Sequence, residues 1–187
     1  MAKSKSVKKQ PEILTENSHK FLRNYLNTPS PVGFESEGQK VWLNYIKPYV
    51  DTHFVDPYGT VVGVVNPDAP FKVVIEAHAD EISWFVNYIT PEGLLYLKRN
   101  GGVDHQIAPS QRVFIHGKKG PVKAVFGWPA IHTRLSNPEQ KEPAAKVDNL
   151  FLDCGARSKK EVEDLGIHVG AVVTYQDGFD ELSNGYY

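Results

Sequence analysis

The sequence contains a single cysteine, a single methionine and almost no excess of either charge. With Cys154 alone, the chain cannot form an internal disulfide or a cysteine-based zinc site. Its 21 basic and 22 acidic side chains leave a formal net charge of −1, which creates no field to gather nucleic acid or anionic membrane. No apolar run approaches the ~20 residues of a membrane-spanning helix, and the N-terminus is too basic and polar for a signal peptide. We therefore expect a cytoplasmic globular protein without nucleic-acid or membrane partners.

Two features could carry function but have simpler explanations. Residues 1–10 contain several lysines, as a nucleic-acid-binding arm would, although a flexible basic tail is the more common explanation. Cys154 could be a nucleophile, but it lies in strand-like sequence with no adjacent base, so a buried thiol is favoured.

The first third of the chain predicts helices and then strands. Apolar residues recur at helical spacing within 12–26 and again from Val41 to Tyr49, so two amphipathic helices are expected. A loop at 30–35, which follows Pro29 and contains Pro31 and Gly33, separates them. Beyond residue 51 the pattern alternates, and turn residues at 56–59 predict a β-hairpin.

The remainder is rich in short β-type segments, which predict a small barrel or sandwich rather than a parallel sheet. One helix interrupts them, with a capping box at Ser158 and Glu161 and an end at Gly166. Segment 137–146 is expected to be an exposed loop, or else an active-site lid. The expected strands are 82–89, 93–98, 111–116, 122–127, 150–153 and 171–175.

Residues 73–81 carry the chemistry that stands out. Residues 73–77 are mostly apolar and predict a buried strand, which would place His78 and Asp80 side by side on one face. Zinc or cobalt used in hydrolysis favours an imidazole ligand, and a carboxylate two residues along can accept the other N–H of the ring. Asp80 could also bind metal itself. On spacing alone, however, a structural histidine is favoured. Asp80 and Glu81 would point to opposite faces, which makes them a poor pair for cleaving sugars.

Several motifs follow one another in an order that resembles a known family. They are Ser30-Pro31-Val32-Gly33-Phe34-Glu35, His78-Ala79-Asp80-Glu81-Ile82, Gly101-Gly102-Val103-Asp104, Gly127-Trp128-Pro129-Ala130-Ile131-His132, and Leu152-Asp153-Cys154-Gly155-Ala156-Arg157-Ser158 with Leu165-Gly166-Ile167 and Gly170. From about Phe21 to Tyr187, the chain resembles the N-terminal half of the M42 metallo-aminopeptidases, which include glutamyl and tetrahedral aminopeptidases and some proteins named endoglucanases.

The resemblance implies an α/β fold in two parts. A truncated metallopeptidase α/β domain (11–81, after a flexible tail at 1–10) would be followed by an inserted β-rich, barrel-like domain (82–176) that helps subunits associate. Residues 177–187 would return toward the catalytic domain. The implied protein is a cytoplasmic homo-oligomer that acts on peptides.

The resemblance also implies a site with two divalent metal ions, zinc or cobalt. His78 matches a ligand of one metal, and Asp80 matches the catalytic acid that orients it. Ser83 departs from the glycine common there in the family. Asp104, His132 and Asp153 lie in family-like motifs without a physical reason to be ligands, and for His132 a structural or subunit-contact role is favoured.

The family's other ligands and its general-base glutamate lie beyond the point that corresponds to Tyr187. The resemblance thus predicts a metal-dependent aminopeptidase present as a truncated N-terminal portion, inactive alone and without stably bound metal. The alternative is a non-catalytic β-rich binding or assembly module that retains the fold.

Overall fold

Two helices form the N-terminal layer of the computed structural model, which describes residues 14–134, 144–176 and 178–187. Helix α1 (Glu16–Leu26) begins after Thr15, whose hydroxyl accepts a hydrogen bond from the Ser18 amide at 3.2 Å. Helix α2 (Ser36–Ile46) continues into a short 3-10 turn. Aromatic contacts join the two helices, with the rings of Phe21 and Tyr45 stacked at 3.9 Å between centroids.

A two-stranded antiparallel hairpin follows, as the sequence predicts. Strands β1 (Thr52–Val55) and β2 (Val61–Val64) pair, and Asp56 closes their turn by accepting hydrogen bonds from two backbone amides. Gly63 lies so close to α2 that a Cβ atom there would meet Ile46 Cδ1 at 2.9 Å. The missing side chain therefore lets the helix pack directly on the hairpin.

Six further strands close into a barrel: β3 (Ser83–Ile89), β4 (Leu95–Asn100), β5 (Arg112–Gly117), β6 (Gly120–Gly127), β7 (Phe151–Asp153) and β8 (Val172–Tyr175). Their order around the barrel is β3-β4-β7-β6-β5-β8, and every neighbouring pair is antiparallel. Of the two architectures that the short strands predicted, a small barrel or a sandwich, the structure has the barrel. A four-residue helix α3 (Ile131–Arg134), which the sequence pattern did not indicate, follows β6.

Helix α4 (Lys159–Asp164) packs on the barrel and begins with the predicted cap. The Ser158 hydroxyl accepts from the Glu161 amide at 3.2 Å, while the Glu161 carboxylate accepts from the Arg157 amide at 2.8 Å. Val162 is fully buried beneath the helix. Gly166 ends it with a φ of +89°, a conformation that glycine adopts without strain.

The hydrophobic core lies in the barrel. Its buried residues come from the barrel strands, their connecting loops and α4. The rings of Phe126 and Tyr175 meet Trp84 edge to face, at centroid distances of 4.9 and 5.0 Å. Such arrangements suit the electrostatics of aromatic rings and add to the burial energy.

The prediction of a buried strand at residues 73–77 is wrong. This segment forms no ladder, and the side chains of Val73, Val74 and Ile75 are 74, 82 and 94% exposed. A strand buried on both faces needs neighbouring strands and a covering layer. Among the described residues the only sheet contact nearby is a single parallel bridge between Pro31 and Glu81. The apolar pattern thus lacks partners in this part of the chain.

Two earlier interpretations fall outside the described residues: the tail at 1–10 and most of the segment 137–146. Within the described ranges, no helix combines the length and apolarity needed to span a bilayer.

Candidate active site

His78 and Asp80 lie together, as their spacing predicts, although on an irregular segment rather than a strand. The Nδ1 atom of His78 is 3.0 Å from the Asp80 carbonyl oxygen and 3.3 Å from its carboxylate oxygen Oδ1. A carbonyl and an ionised carboxylate only accept hydrogen bonds, so Nδ1 carries the proton. In the neutral form of the ring the lone pair would then be on Nε2, and the His78 side chain is 84% exposed.

Glu81 anchors this segment to the loop between the two helices. The Ser30 amide donates to Glu81 Oε1 at 2.6 Å, and the Glu81 amide donates to the Ser30 carbonyl at 2.8 Å. Burial raises the pKa of the Glu81 carboxyl, and the Ser30 amide opposes that rise. Two reciprocal bonds therefore fix the chain one residue after Asp80.

The same loop is fixed to the barrel from its other side. The side-chain nitrogen Nδ2 of Asn100 donates hydrogen bonds to the Val32 carbonyl oxygen and to the Ser83 hydroxyl oxygen, each at 2.9 Å. The Phe34 ring approaches Phe85 of β3 at 6.4 Å. Ser83, which replaces the glycine common in the resembling family, thus takes part in the joint between loop and barrel.

A metal ion would find one imidazole nitrogen and one carboxylate here. Within the described ranges, no group of three or more histidine, cysteine, aspartate or glutamate side chains is placed to hold a metal. Structural and catalytic zinc sites use three or four protein ligands. The described donor set therefore does not fit a pair of divalent ions, although His78 has the hydrogen bonding typical of a metal-ligating histidine.

The other acids in family-like motifs serve local structure. Asp104 Oδ1 accepts from the Gln106 amide at 2.9 Å, and Asp153 Oδ1 accepts from the Gly155 amide at 2.7 Å.

His132 lies exposed on α3. Burial raises the pKa of the half-buried Cys154 thiol, which opposes the thiolate that a nucleophile needs.

Sequence reasoning missed a shallow groove of about 330 Å³ between the loop and the barrel. Pro31 and Phe34 line one side, and His116 and His168 line the other. His116 Nε2 lies 2.9 Å from the Thr174 hydroxyl, and burial lowers the pKa of the ring. The anchoring role of Glu81 was also missed, because its partner is 51 residues away and only the acid itself is visible in the motif.

Comparison with known proteins matches residues 59–187 to the M42 glutamyl aminopeptidase family. The chain is 28% identical over 166 residues to a lysyl aminopeptidase of Pyrococcus furiosus. The matched region covers 87% of this chain and 47% of that protein. The chain thus spans about half the length of the curated relatives it matches.

Solved structures share the fold. A TET aminopeptidase from a marine sediment archaeon of the Thaumarchaeota superposes with a TM-score of 0.84 at 27% identity, covering 91% of this chain and 47% of that one. The TET1 peptidase of Pyrococcus horikoshii, which can assemble into a tetrahedron or a large octahedral shell, has a TM-score of 0.68 at 24% identity, covering 88% and 48%. The latter likeness concerns the fold alone.

Proposed function

Because this chain belongs to the M42 family of glutamyl aminopeptidases, we propose that it is the N-terminal portion of a metal-dependent aminopeptidase and is inactive alone. The proposed reaction is hydrolysis of the N-terminal residue of a peptide, and the proposed location is the cytoplasm. His78 is proposed as one metal ligand, and Asp80 as the residue that orients it.

The single observation that carries the proposal is the contact of His78 Nδ1 with two acceptors of Asp80. A ligating histidine needs one nitrogen free and the other held by an acceptor, and both conditions are met here. The His78 side chain is 84% exposed, so a ligand can reach its Nε2 atom.

The proposal also explains why the described donors are too few. Further acidic ligands and a general base would come from polypeptide that matches the other half of the relatives' length. In the proposed organisation the barrel (82–176) is inserted between an α/β part (11–81) and a returning segment (177–187). The contact of the Phe179 amide with the Asn27 side chain, at 2.9 Å, supports that return.

Homo-oligomerisation, with peptides as substrates, completes the proposal. Its support is the overall likeness to TET aminopeptidases, one of which forms closed shells. The barrel offers exposed apolar residues such as Ile107 and Val125 for subunit contacts.

The test is a metal titration paired with an activity assay. We expect this chain to bind Zn²⁺ or Co²⁺ weakly, because a single imidazole cannot offset the dehydration of the ion. We also expect no turnover of amino-acid anilides. The binding should be lost in His78→Ala and retained in His53→Ala, a matched change at an exposed histidine of β1.

Hydrolysis by this chain that disappears in His78→Ala would refute inactivity of the portion alone. Metal binding unaffected by His78→Ala would refute the role of the histidine. Spectra of the Co²⁺ form would show whether Asp80→Asn alters the ligand field, as an orienting residue should.

A second candidate function is a non-catalytic binding or assembly module. It is favoured by the location of the hydrophobic core, which lies in the barrel rather than beside His78. Coding sequence that continues in frame past residue 187 and supplies acidic ligands would support the enzyme. A genuine stop together with absent metal binding would support the module.

A further inference from the structure

Asn100 joins the barrel to the loop that anchors Glu81. Its Nδ2 atom donates hydrogen bonds to the Val32 carbonyl oxygen and to the Ser83 hydroxyl oxygen, each at 2.9 Å. A carbonyl oxygen only accepts hydrogen bonds, so the atom that faces Val32 must be the nitrogen of the side-chain amide and not its oxygen. The joint between loop and barrel therefore depends on the amide group of this side chain.

The residue after Asn100 is a glycine, which makes the side-chain amide chemically labile. In an Asn-Gly pair, the backbone nitrogen of the glycine can attack Cγ of the asparagine, because the glycine has no Cβ atom in the way. Gly101 directly follows the last residue of β4, and a Cβ atom added there would meet only Val32 Cγ2 among the described atoms, at 3.5 Å. The surroundings therefore leave space for this attack.

We propose that Asn100 is a site of spontaneous deamidation, and that this modification opens the joint between the loop and the barrel. The Gly101 nitrogen forms a bond to Cγ of Asn100 while the bond from Cγ to Nδ2 breaks, and Nδ2 leaves as ammonia with the proton of the Gly101 amide. Solvent water, the only co-reactant, then opens the cyclic imide. Cleavage at Cγ gives aspartate, and cleavage at the backbone carbonyl carbon gives isoaspartate.

Both products have lost the nitrogen that donates to Val32 and carry a carboxylate. An ionised carboxylate has no proton to donate, so the Val32 carbonyl loses its partner. Ser83 can turn its hydroxyl toward the new acceptor, but a carbonyl cannot. The same loop holds Glu81 through its reciprocal hydrogen bonds with Ser30. Deamidation should therefore loosen the loop beside the candidate site.

The first test is peptide mass spectrometry after the folded chain has been kept in mildly alkaline buffer. Replacement of the NH₂ group by OH changes the mass, and peptides with aspartate and isoaspartate separate by chromatography. We expect conversion at Asn100 with both products present, because the imide opens at either carbonyl.

Two exposed asparagines of the same sample are matched controls. Asn87 precedes Tyr88, whose side chain hinders the attack, and Asn66 precedes Pro67, which has no backbone N–H. Both should keep their amides over the period in which Asn100 is converted.

The second test is hydrogen exchange in Asn100→Asp, which carries the product side chain from the start. The Phe34 amide donates to the Pro31 carbonyl in the same loop at 2.7 Å, and its exchange should become about tenfold faster. Asn100→Ala loses the donor without adding a charge and should show a smaller acceleration. The Asp56 amide, bonded to Thr60 in the hairpin, should exchange at an unchanged rate.

Two results would overturn the proposal. Asn100 could be converted no faster than Asn87 and Asn66, which would show that the folded joint protects its amide. Asn100→Asp could leave exchange of the Phe34 amide unchanged, which would show that the joint does not depend on the amide. Neither measurement involves a metal or a substrate, so the outcome is separate from that of the proposed function.

Discussion

The barrel and the N-terminal layer use apolar residues in different ways. In the barrel, β4 alternates buried and exposed positions over its first four residues, and Trp84 of β3 is entirely inaccessible. In the N-terminal layer, β1 is exposed along its length, and residues 73–75 are more exposed still. Both regions are rich in β-branched residues. The difference is that the barrel closes on itself, so each strand finds two neighbours.

Because the barrel is closed, each of its strands forms backbone hydrogen bonds with two neighbouring strands. The hairpin β1–β2 is an open two-stranded sheet, and such a sheet is only marginally stable without packing. Its main support is α2, through the contact at Gly63. We therefore expect the stability of the described chain to reside in the barrel, while the N-terminal layer carries the candidate chemistry.

The largest expected effect compares one aromatic residue from each region. Trp84→Ala should lower the free energy of unfolding by about 3–5 kcal/mol, because it leaves a cavity in the core. Tyr58→Ala, at a 95% exposed position in the hairpin turn, should change it by less than about 0.5 kcal/mol. Urea denaturation followed by fluorescence or circular dichroism would measure both.

Trp84→Phe sharpens this comparison. The indole Nε1 of Trp84 has no hydrogen-bond partner among the described residues, so phenylalanine loses none. It should cost less than half of the alanine effect. Equal losses from Trp84→Ala and Tyr58→Ala would show that stability is not concentrated in the barrel.

A smaller effect is expected where the two regions join. Glu81→Ala removes the acceptor of the buried Ser30 amide and should cost about 1–3 kcal/mol. Glu81→Gln keeps an acceptor oxygen and should recover most of this loss. Hydrogen exchange at the Ser30 amide, faster in Glu81→Ala than in Glu81→Gln, would measure the contact directly.

The matched control for this joint is Glu92→Ala, which alters an exposed glutamate in a barrel turn. It should have little effect on unfolding. If Glu81→Gln were as destabilising as Glu81→Ala, the charge or shape of Glu81, rather than its hydrogen bond, would be responsible.

The smallest effect concerns pH and His116, in the groove between the regions. Burial lowers the pKa of this ring below its ordinary value of 6.5, so the folded protein disfavours the protonated form. The corresponding stabilisation is present above pH 6.5 and is lost as the pH falls through the lowered pKa. The free energy of unfolding should therefore decrease in mildly acidic buffer.

His116→Gln retains a polar atom near the Thr174 hydroxyl but does not titrate. Denaturation series at several pH values should show a shallower acid dependence for this variant. An unchanged slope would mean that other groups control the acid response.

Local patterns were sufficient for most of the fold. The cap at Ser158 and the hairpin turn at Asp56 each depend on residues close in sequence. The hydrogen bonds that stabilise them join residues two to four positions apart, so the sequence predicted these features with nearly correct bounds. The number and spacing of the short strands predicted a barrel or a sandwich but did not decide between them, because closure depends on pairing between strands far apart in sequence.

Features that depend on distant partners were not predictable in the same way. The apolar pattern at 73–77 predicts a buried strand, but burial requires neighbours that the described residues do not provide. Glu81 could be identified as part of a motif, yet its role depends on the hydrogen bond that it accepts from Ser30. The role of Asn100 likewise depends on the hydrogen bond that it donates to Val32. The proximity of His78 and Asp80 was predictable because only two positions separate them.

The contacts on either side of the barrel limit how it can move. Chain enters the barrel at Glu81, held by Ser30, and leaves it toward Phe179, whose amide is bound by Asn27. Arg23 also lies over the Phe179 ring at 4.9 Å. The Asn100 side chain adds a third contact, through the Val32 carbonyl, so the helical layer and the barrel are joined at three places. The partners on the helical side, Asn27, Ser30 and Val32, all lie at the end of α1 or in the loop that follows it, so one short stretch of chain holds both ends of the barrel.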